Sequence, residues 1–136
     1  MKAKTLLWLD DMRNPFLADW LLQFAPEFDE RRDFVVWVKN YDEFVEFIEG
    51  YGVPHKIAFD HDLEPDKIIG NPMDLKNCSI EYGKTGMDCA RYLVNFCQDK
   101  NIPLPLWVIQ SANPVGEDNM NGLLTQFKKF QNGENR

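Results

Sequence analysis

Asp10 and Asp11 directly follow the apolar run Leu6–Leu9, and Asp60 and Asp62 follow Ile57–Phe59 with His61 between them. Carboxylates packed this closely repel, by about 4 kcal/mol per pair at 4 Å with an effective dielectric near 20. Such a group of acids calls for a divalent cation, a shared proton or a cationic ligand. Further along, Ser111 and Asn113 follow a fourth apolar run, Leu106–Ile109, and Lys84 precedes a candidate helix start at Thr85-Gly86. Hard cations such as Mg²⁺ or Mn²⁺ take carboxylate and water oxygens, and Asp10, Asp11, Asp60 and Asp62 are the candidate ligands. A cation held there can clamp a phosphoryl oxygen. A helix start supplies free N–H groups to an anion, which makes Thr85 and the adjacent Lys84 candidate phosphate ligands; Arg13, Gln110 and Asn113, which follow the first and fourth apolar runs, are the other candidates. His61, Asp60 and Ser111 are the candidate catalytic groups, His61 because its charge changes near neutral pH.

Each of these side chains also has a purely architectural use. An Asp-Asp pair can open a turn and cap a helix, and Ser111 and Asn113 can cap one too. His61 can be a satisfied surface or core imidazole, and Arg13 an ion-pair partner of Asp10 or Asp11. What favours a site is convergence, because acids collect at the ends of separate runs.

The elements that must position these groups follow from periodicity. Thr5–Leu9, Phe34–Val38, Lys56–Phe59 and Leu106–Ile109 read as strands, the second apolar enough to be covered on both faces. Phe16, Trp20, Leu21 and Phe24 recur at helical spacing and predict a helix over Phe16–Phe24. A second helix is expected near Asp42–Tyr51, with Phe44, Ile48 and Tyr51 inward, ended by Gly52-Val53-Pro54. Thr85 opens a third, to about Lys100, and Thr85-x-x-Asp88 resembles a capping box. Asn113 caps a fourth, with Pro114 in its first turn and Met120, Leu123, Leu124, Phe127 and Phe130 along its apolar face. Between the third strand and third helix, Glu64 to Lys84 shows little periodicity, and a loop that long is often a lid or binding loop. Residues 131–136 read as a flexible tail.

Alternating strands and helices imply α/β architecture. The expectation is a three-layer αβα, flavodoxin- or receiver-like domain over residues 1–136, with a parallel sheet of four or five strands. Its ligand crevice lies at the carboxyl ends of the strands, where the acids are. A chain of 136 residues with 44% hydrophobic content, ten Phe and four Trp is enough for one real core. The formal charge of −7 argues against broad electrostatic binding to nucleic acid, though not against recognition of one RNA end or nucleotide. No stretch approaches the roughly 20 apolar residues of a membrane span. Three cysteines without a CxxC suggest reduced thiols and a cytoplasmic protein.

Four ordered motifs now carry a resemblance. Trp8-Leu9-Asp10-Asp11-Met12-Arg13-Asn14-Pro15, Phe59-Asp60-His61-Asp62-Leu63, Thr85-Gly86-Met87-Asp88 and Ser111-Ala112-Asn113-Pro114-Val115-Gly116 resemble the cyclic-phosphate processing receiver-like domains, over nearly the whole chain. The resemblance implies a flavodoxin-like fold and an activity on cyclic phosphate ends of RNA or related nucleotides. By motif, Asp10 and Asp11 look like the receiver's acidic metal-binding pair, and Asp60 is similar to its phosphate-accepting aspartate. His61 is the additional histidine of the Asp-His-Asp motif, and Ser111 sits where receivers carry Thr or Ser.

The chain departs from the pattern in three places. Gln110 stands where the family commonly has histidine, the Glu64–Lys84 connection is longer than usual, and no Lys-Pro follows a fifth strand. Three functions fit: a Mg²⁺- or Mn²⁺-dependent phosphoesterase, a non-enzymatic phosphoacceptor using Asp60, or a binding module without turnover.

Overall fold

The computed structural model describes residues 3–133. Its centre is a parallel sheet of four strands, β1 (Thr5–Leu9), β2 (Phe34–Val38), β3 (Lys56–Phe59) and β6 (Leu106–Ile109), in the order β2-β1-β3-β6. Four helices accompany it: α1 (Trp20–Phe24), α2 (Tyr41–Tyr51), α3 (Gly86–Lys100) and α4 (Pro114–Gln131). Two further strands, β4 (Lys67–Gly70) and β5 (Cys78–Glu81), pair only with each other. The four expected main strands appear with the bounds given above, because each is a short apolar run flanked by charge or turn residues.

Alternation along the strands divides the core between two faces. Leu7, Leu9, Ile57, Phe59 and Ile109 pack against Phe44 and Ile48 of α2, Cys89, Ala90, Leu93 and Cys97 of α3, and Met120, Leu124 and Phe127 of α4. Each fully buried Leu or Phe there contributes roughly 1.5–3 kcal/mol. On the other face Leu6, Trp8 and Ala58 meet Ala25, Phe28 and the half-buried Trp20, Leu21 and Phe24. The layers are therefore αβα, with three helices on one side and only the short α1 on the other.

Helix ends follow local chemistry. The Asn40 side chain accepts from Glu43 N at 2.8 Å to start α2, which stops at Gly52 with φ 103°. The Asp88 carboxylate accepts from Thr85 N at 2.8 Å, making the expected capping box of α3. Asn113 accepts from Gly116 N at 3.0 Å to cap α4, with Pro114 leading the first turn.

Several expectations need correction. The first helix begins at Trp20 rather than Phe16; the Asn14 side chain takes the Phe16 N–H in a turn, and Phe16 is half exposed. Strand β2 is an edge strand in which only Val38 is fully buried, and its two faces are partly covered, Val36 and Val38 by the larger core and Val35 and Trp37 by the smaller one. Tyr51 lies at the surface, its hydroxyl 2.9 Å from Thr5 Oγ1, and Phe130 is exposed beside Phe127.

Residues 64–84 are not an irregular loop. They hold the antiparallel β4–β5 hairpin, with Ile68 opposite Ile80 and Gly70 opposite Cys78. Gly70 has φ 92°, and a Cβ there would collide with the Asn77 carbonyl, so the turn requires glycine. The hairpin's neck is tied by Gly83 N donating to Asp66 Oδ1 at 2.9 Å and Glu64 N to the Lys84 carbonyl at 3.4 Å. Of the expected tail, Gln131 belongs to α4 and pins the α3–β6 connection: its Nε2 donates to the Ile102 carbonyl and its Oε1 accepts from Leu104 N. Residues 134–136 lie outside the described residues.

Candidate functional site

Strand register creates the acidic cluster. Trp8 pairs with Ala58 and Ala58 with Val108, so one step further Asp10 stands beside Asp60 and Asp60 beside Gln110. The ladder does continue that far: Asp10 N donates to the Val38 carbonyl at 3.0 Å, and Gln110 N to the Phe59 carbonyl at 2.8 Å. Alternation turns all three towards the α1 side. Asp11 joins from the start of the following turn, and ligand oxygens of Asp10, Asp11 and Asp60 lie within 4.8 Å of one another. Three hard oxygen donors at that spacing fit Mg²⁺ or Mn²⁺.

Within this trio the charge is poorly compensated. Asp10 is 2% exposed, and its Oδ1 accepts from Met12 N at 2.9 Å and Arg13 N at 2.8 Å, which fixes the carboxylate and leaves Oδ2 for a ligand. Asp60 is pushed up to about 7, first by burial and then by the charges of Asp10 and Asp11. Burial and Asp10 also raise Asp11. Metal-free, the cluster therefore holds a proton near neutral pH that a cation would displace.

Arg13 stands close enough to offset part of the Asp60 shift, but its guanidinium is already placed. It lies 4.6 Å from the centroid of the Trp20 ring and donates through Nη1 to the Gln110 carbonyl. Gln110 itself is 1% exposed. Its Nε2 donates to the Leu9 carbonyl at 3.2 Å, tying β6 to β1, while Oε1 is buried without a partner. The side chain thus acts as an internal strut, and its orphan acceptor costs about 1–3 kcal/mol.

A second group assembles around His61. Its Nδ1 lies 2.8 Å from Asp62 Oδ1, and Asn113 Nδ2 is 3.3 Å from the same oxygen. The bond from His61 holds Asp62 below the usual carboxylate range. Asp62, expected as a metal ligand, is therefore bound to the imidazole and is not among the three converging carboxylates. Ser111 accepts from Asn113 N at 3.0 Å through Oγ, so its proton remains free to donate. Two glycines make this crowding feasible. A Cβ at Gly86 would collide with the Asp60 carbonyl, and Gly86 N donates to the His61 carbonyl at 2.7 Å. A Cβ at Gly116 would lie 2.5 Å from His61 Cδ2.

Lys84 and Thr85 are drawn elsewhere. Lys84 Nζ sits 5.2 Å from the Tyr41 ring centroid, and Thr85 Oγ1 is 3.3 Å from Asp88 Oδ2. The anionic Asp88 carboxylate already occupies the start of α3, where the sequence points to a phosphate. Sequence reasoning misses Gly116 and Trp20. Trp20 gives no signal beyond its place on an apolar stripe, whereas Gly116 stands inside the Ser111–Gly116 motif.

The family model for the cyclic-phosphate processing receiver domain matches residues 5–126. The chain belongs to this family. No curated protein matches it significantly. Among solved structures it is similar to the phosphorylated cyanobacterial phytochrome response regulator RcpA, at 16% identity and TM-score 0.53, over 96% of this chain and 90% of that one. It is also similar to a fusion carrying a trimeric coiled-coil segment of yeast Spc42, at 17% identity and TM-score 0.50 over 90% of this chain. The chain spans 63% of that fusion's length. At these identities the likeness shows the fold, a response-regulator-like receiver of the flavodoxin type. Among the described residues of this cyclic-phosphate processing receiver domain, no helix is long and apolar enough to cross a membrane.

Proposed function

We propose that this domain is a divalent-cation-dependent phosphoesterase that opens cyclic phosphate ends of RNA or related nucleotides. The observation that carries the reading is the convergence of Asp10, Asp11 and Asp60 within 4.8 Å of one another, with the residue after Asp60 an imidazole whose Nδ1 is held by a carboxylate. Asp10, Asp11 and Asp60 would hold Mg²⁺ or Mn²⁺, which when bound withdraws charge from a phosphoryl oxygen. His61 serves as the proton-transfer group, a role worth typically about 10²–10⁴-fold in rate. Arg13, Ser111 and Asn113 orient phosphate oxygens from the β1 and β6 sides. The negative formal charge suits one local contact with an end better than a long backbone interface.

The test is turnover of a 2′,3′-cyclic nucleotide with Mn²⁺, followed by phosphorus NMR. Wild-type protein gives the monoester, and both Asp10→Asn and His61→Ala lose it. Equal turnover by wild type and the double variant overturns the reading. Asp60 at the end of β3 supports a second one, a phosphoacceptor, since a fold neighbour is a phosphorylated response regulator. Incubation with acetyl phosphate and Mg²⁺ followed by intact-mass measurement tests it, and no added phosphoryl group removes its support.

A further inference from the structure

We propose that the first turn of α4 fixes the tautomer of His61, with Gly116 as the positioning residue and Nε2 as the working nitrogen. The assignment follows from which groups can donate. Asn113 Oδ1 accepts from Gly116 N at 3.0 Å, so the amide NH₂ of Asn113 must be the end that faces His61 and Asp62. That NH₂ donates to Asp62 Oδ1 at 3.3 Å and lies 3.4 Å from His61 Nδ1. An ionised carboxylate only accepts, so the 2.8 Å contact between Asp62 Oδ1 and Nδ1 carries the imidazole's proton. Asp62 therefore takes two donors, and the Asn113–His61 approach is a flank rather than a bond. In neutral His61 the lone pair remains on Nε2.

Gly116 makes this arrangement geometrically available. The ring lies against its backbone, where a Cβ would come within 2.5 Å of Cδ2 and 2.8 Å of Nδ1, closer than real Cβ atoms pack. A methyl group at that position pushes the ring off Asp62. The Ser111 hydroxyl, accepting from Asn113 N at 3.0 Å, holds the turn that brings Asn113 and Gly116 to the ring. Helix cap, hydrogen-bond donor and packing wall thus come from one six-residue stretch, Ser111–Gly116.

The catalytic consequence rests on the phosphoesterase reading. Water forms the new bond to phosphorus and gives its proton to Nε2. The bond from phosphorus to one ribose oxygen breaks, and that oxygen takes the proton back from Nε2. One water is consumed, no electrons leave the system, and His61 ends as it began. Asp62 is then a positioning residue, which explains why it stands apart from the metal-binding trio.

The test is a long-range proton–nitrogen correlation spectrum of the full chain with labelled histidine, recorded at about pH 9, above the ordinary imidazole range. Wild-type His61 shows a protonated Nδ1 and a bare Nε2; a dominant Nε2–H tautomer overturns the proposal. In Gly116→Ala the population moves to Nε2–H, and turnover falls roughly tenfold or more, with KM and Mn²⁺ affinity within about twofold. A retained Nδ1–H tautomer with normal turnover also overturns it. Should Gly116→Ala fail to fold, Asp62→Ala is the second variant, because Asp62 is exposed. Persistence of Nδ1–H there overturns the proposal equally. The tautomer is read without turnover, so a wild-type protein that shows Nδ1–H yet opens no cyclic phosphate counts against the phosphoesterase reading alone.

Discussion

The carboxylate trio and the His61 arm adjoin each other, yet they are built by opposite means. Asp10 and Asp60 are positioned by the register of buried strands, and their charges are left to repel. His61 is positioned by a turn and a helix cap, and its Nδ1 and Asp62 satisfy each other within the protein. One half needs something from outside to be stable, while the other is complete without it. Rigid placement of uncompensated charge prepares a ligand site, whereas a satisfied dyad prepares a group that handles protons.

The sharpest way to break this contrast is to remove one acid from the trio. Losing a charge at about 4 Å with an effective dielectric near 20 is about 4 kcal/mol, so Asp10→Asn weakens Mn²⁺ binding by roughly 100-fold or more in calorimetry. Next comes His61→Ala, which lowers cyclic-nucleotide turnover by about 10²–10⁴-fold while leaving Mn²⁺ affinity unchanged. If that variant also loses the cation, the two halves are not separable.

The third test uses the Asp60 proton. Its carboxyl rises from 3.8 to about 7 on folding, so the metal-free protein binds more protons folded than unfolded across that interval. The contribution to stability is full below 3.8 and is lost as pH rises through about 7. Thermal melts of metal-free protein should therefore show Asp60→Asn gaining at pH 8, by roughly 3–5 °C for about 1 kcal/mol of relieved repulsion. Mn²⁺ affinity in the wild type climbs with pH until about 7 and then levels. A flat profile means that the trio holds no proton. The smallest effect is expected from Lys84→Ala: its ammonium lies over Tyr41, so turnover stays within about twofold at this position, away from the trio. A larger loss returns Lys84 to the phosphate site.

Much of this architecture is legible in the order of residues alone. The four main strands are short apolar runs ending in polar residues, which sets both their bounds and the edge where Asp10 and Asp60 stand. Parity makes Gln110's inward turn readable as well, since it follows Leu106 and Val108 on one side of β6. The failures have physical causes. The hairpin strands are four residues each, and β-branched Ile68, Ile69 and Ile80 are too few to mark a period. Thr85 has two expected duties that compete for one helix start, and the covalently tethered Asp88 has the advantage over a diffusing phosphate. Asp62's partner is hidden from a linear reading because adjacent side chains diverge in a strand, but converge here in a turn.

The tight neck of the β4–β5 hairpin has a consequence for how this protein can be altered. Gly83 abuts the Glu64 carbonyl and Gly86 abuts the Asp60 carbonyl, so the two chain segments meet just below the Asp-His-Asp turn and run on beyond it paired only with each other, as β4 and β5. Everything distal to that junction is an appendage on a clamped stem. Exchanging residues 67–81 for a tight turn, or for a longer module, leaves Asp60 and His61 where they are. The junction is a natural grafting point, and tolerance of length change belongs on its far side.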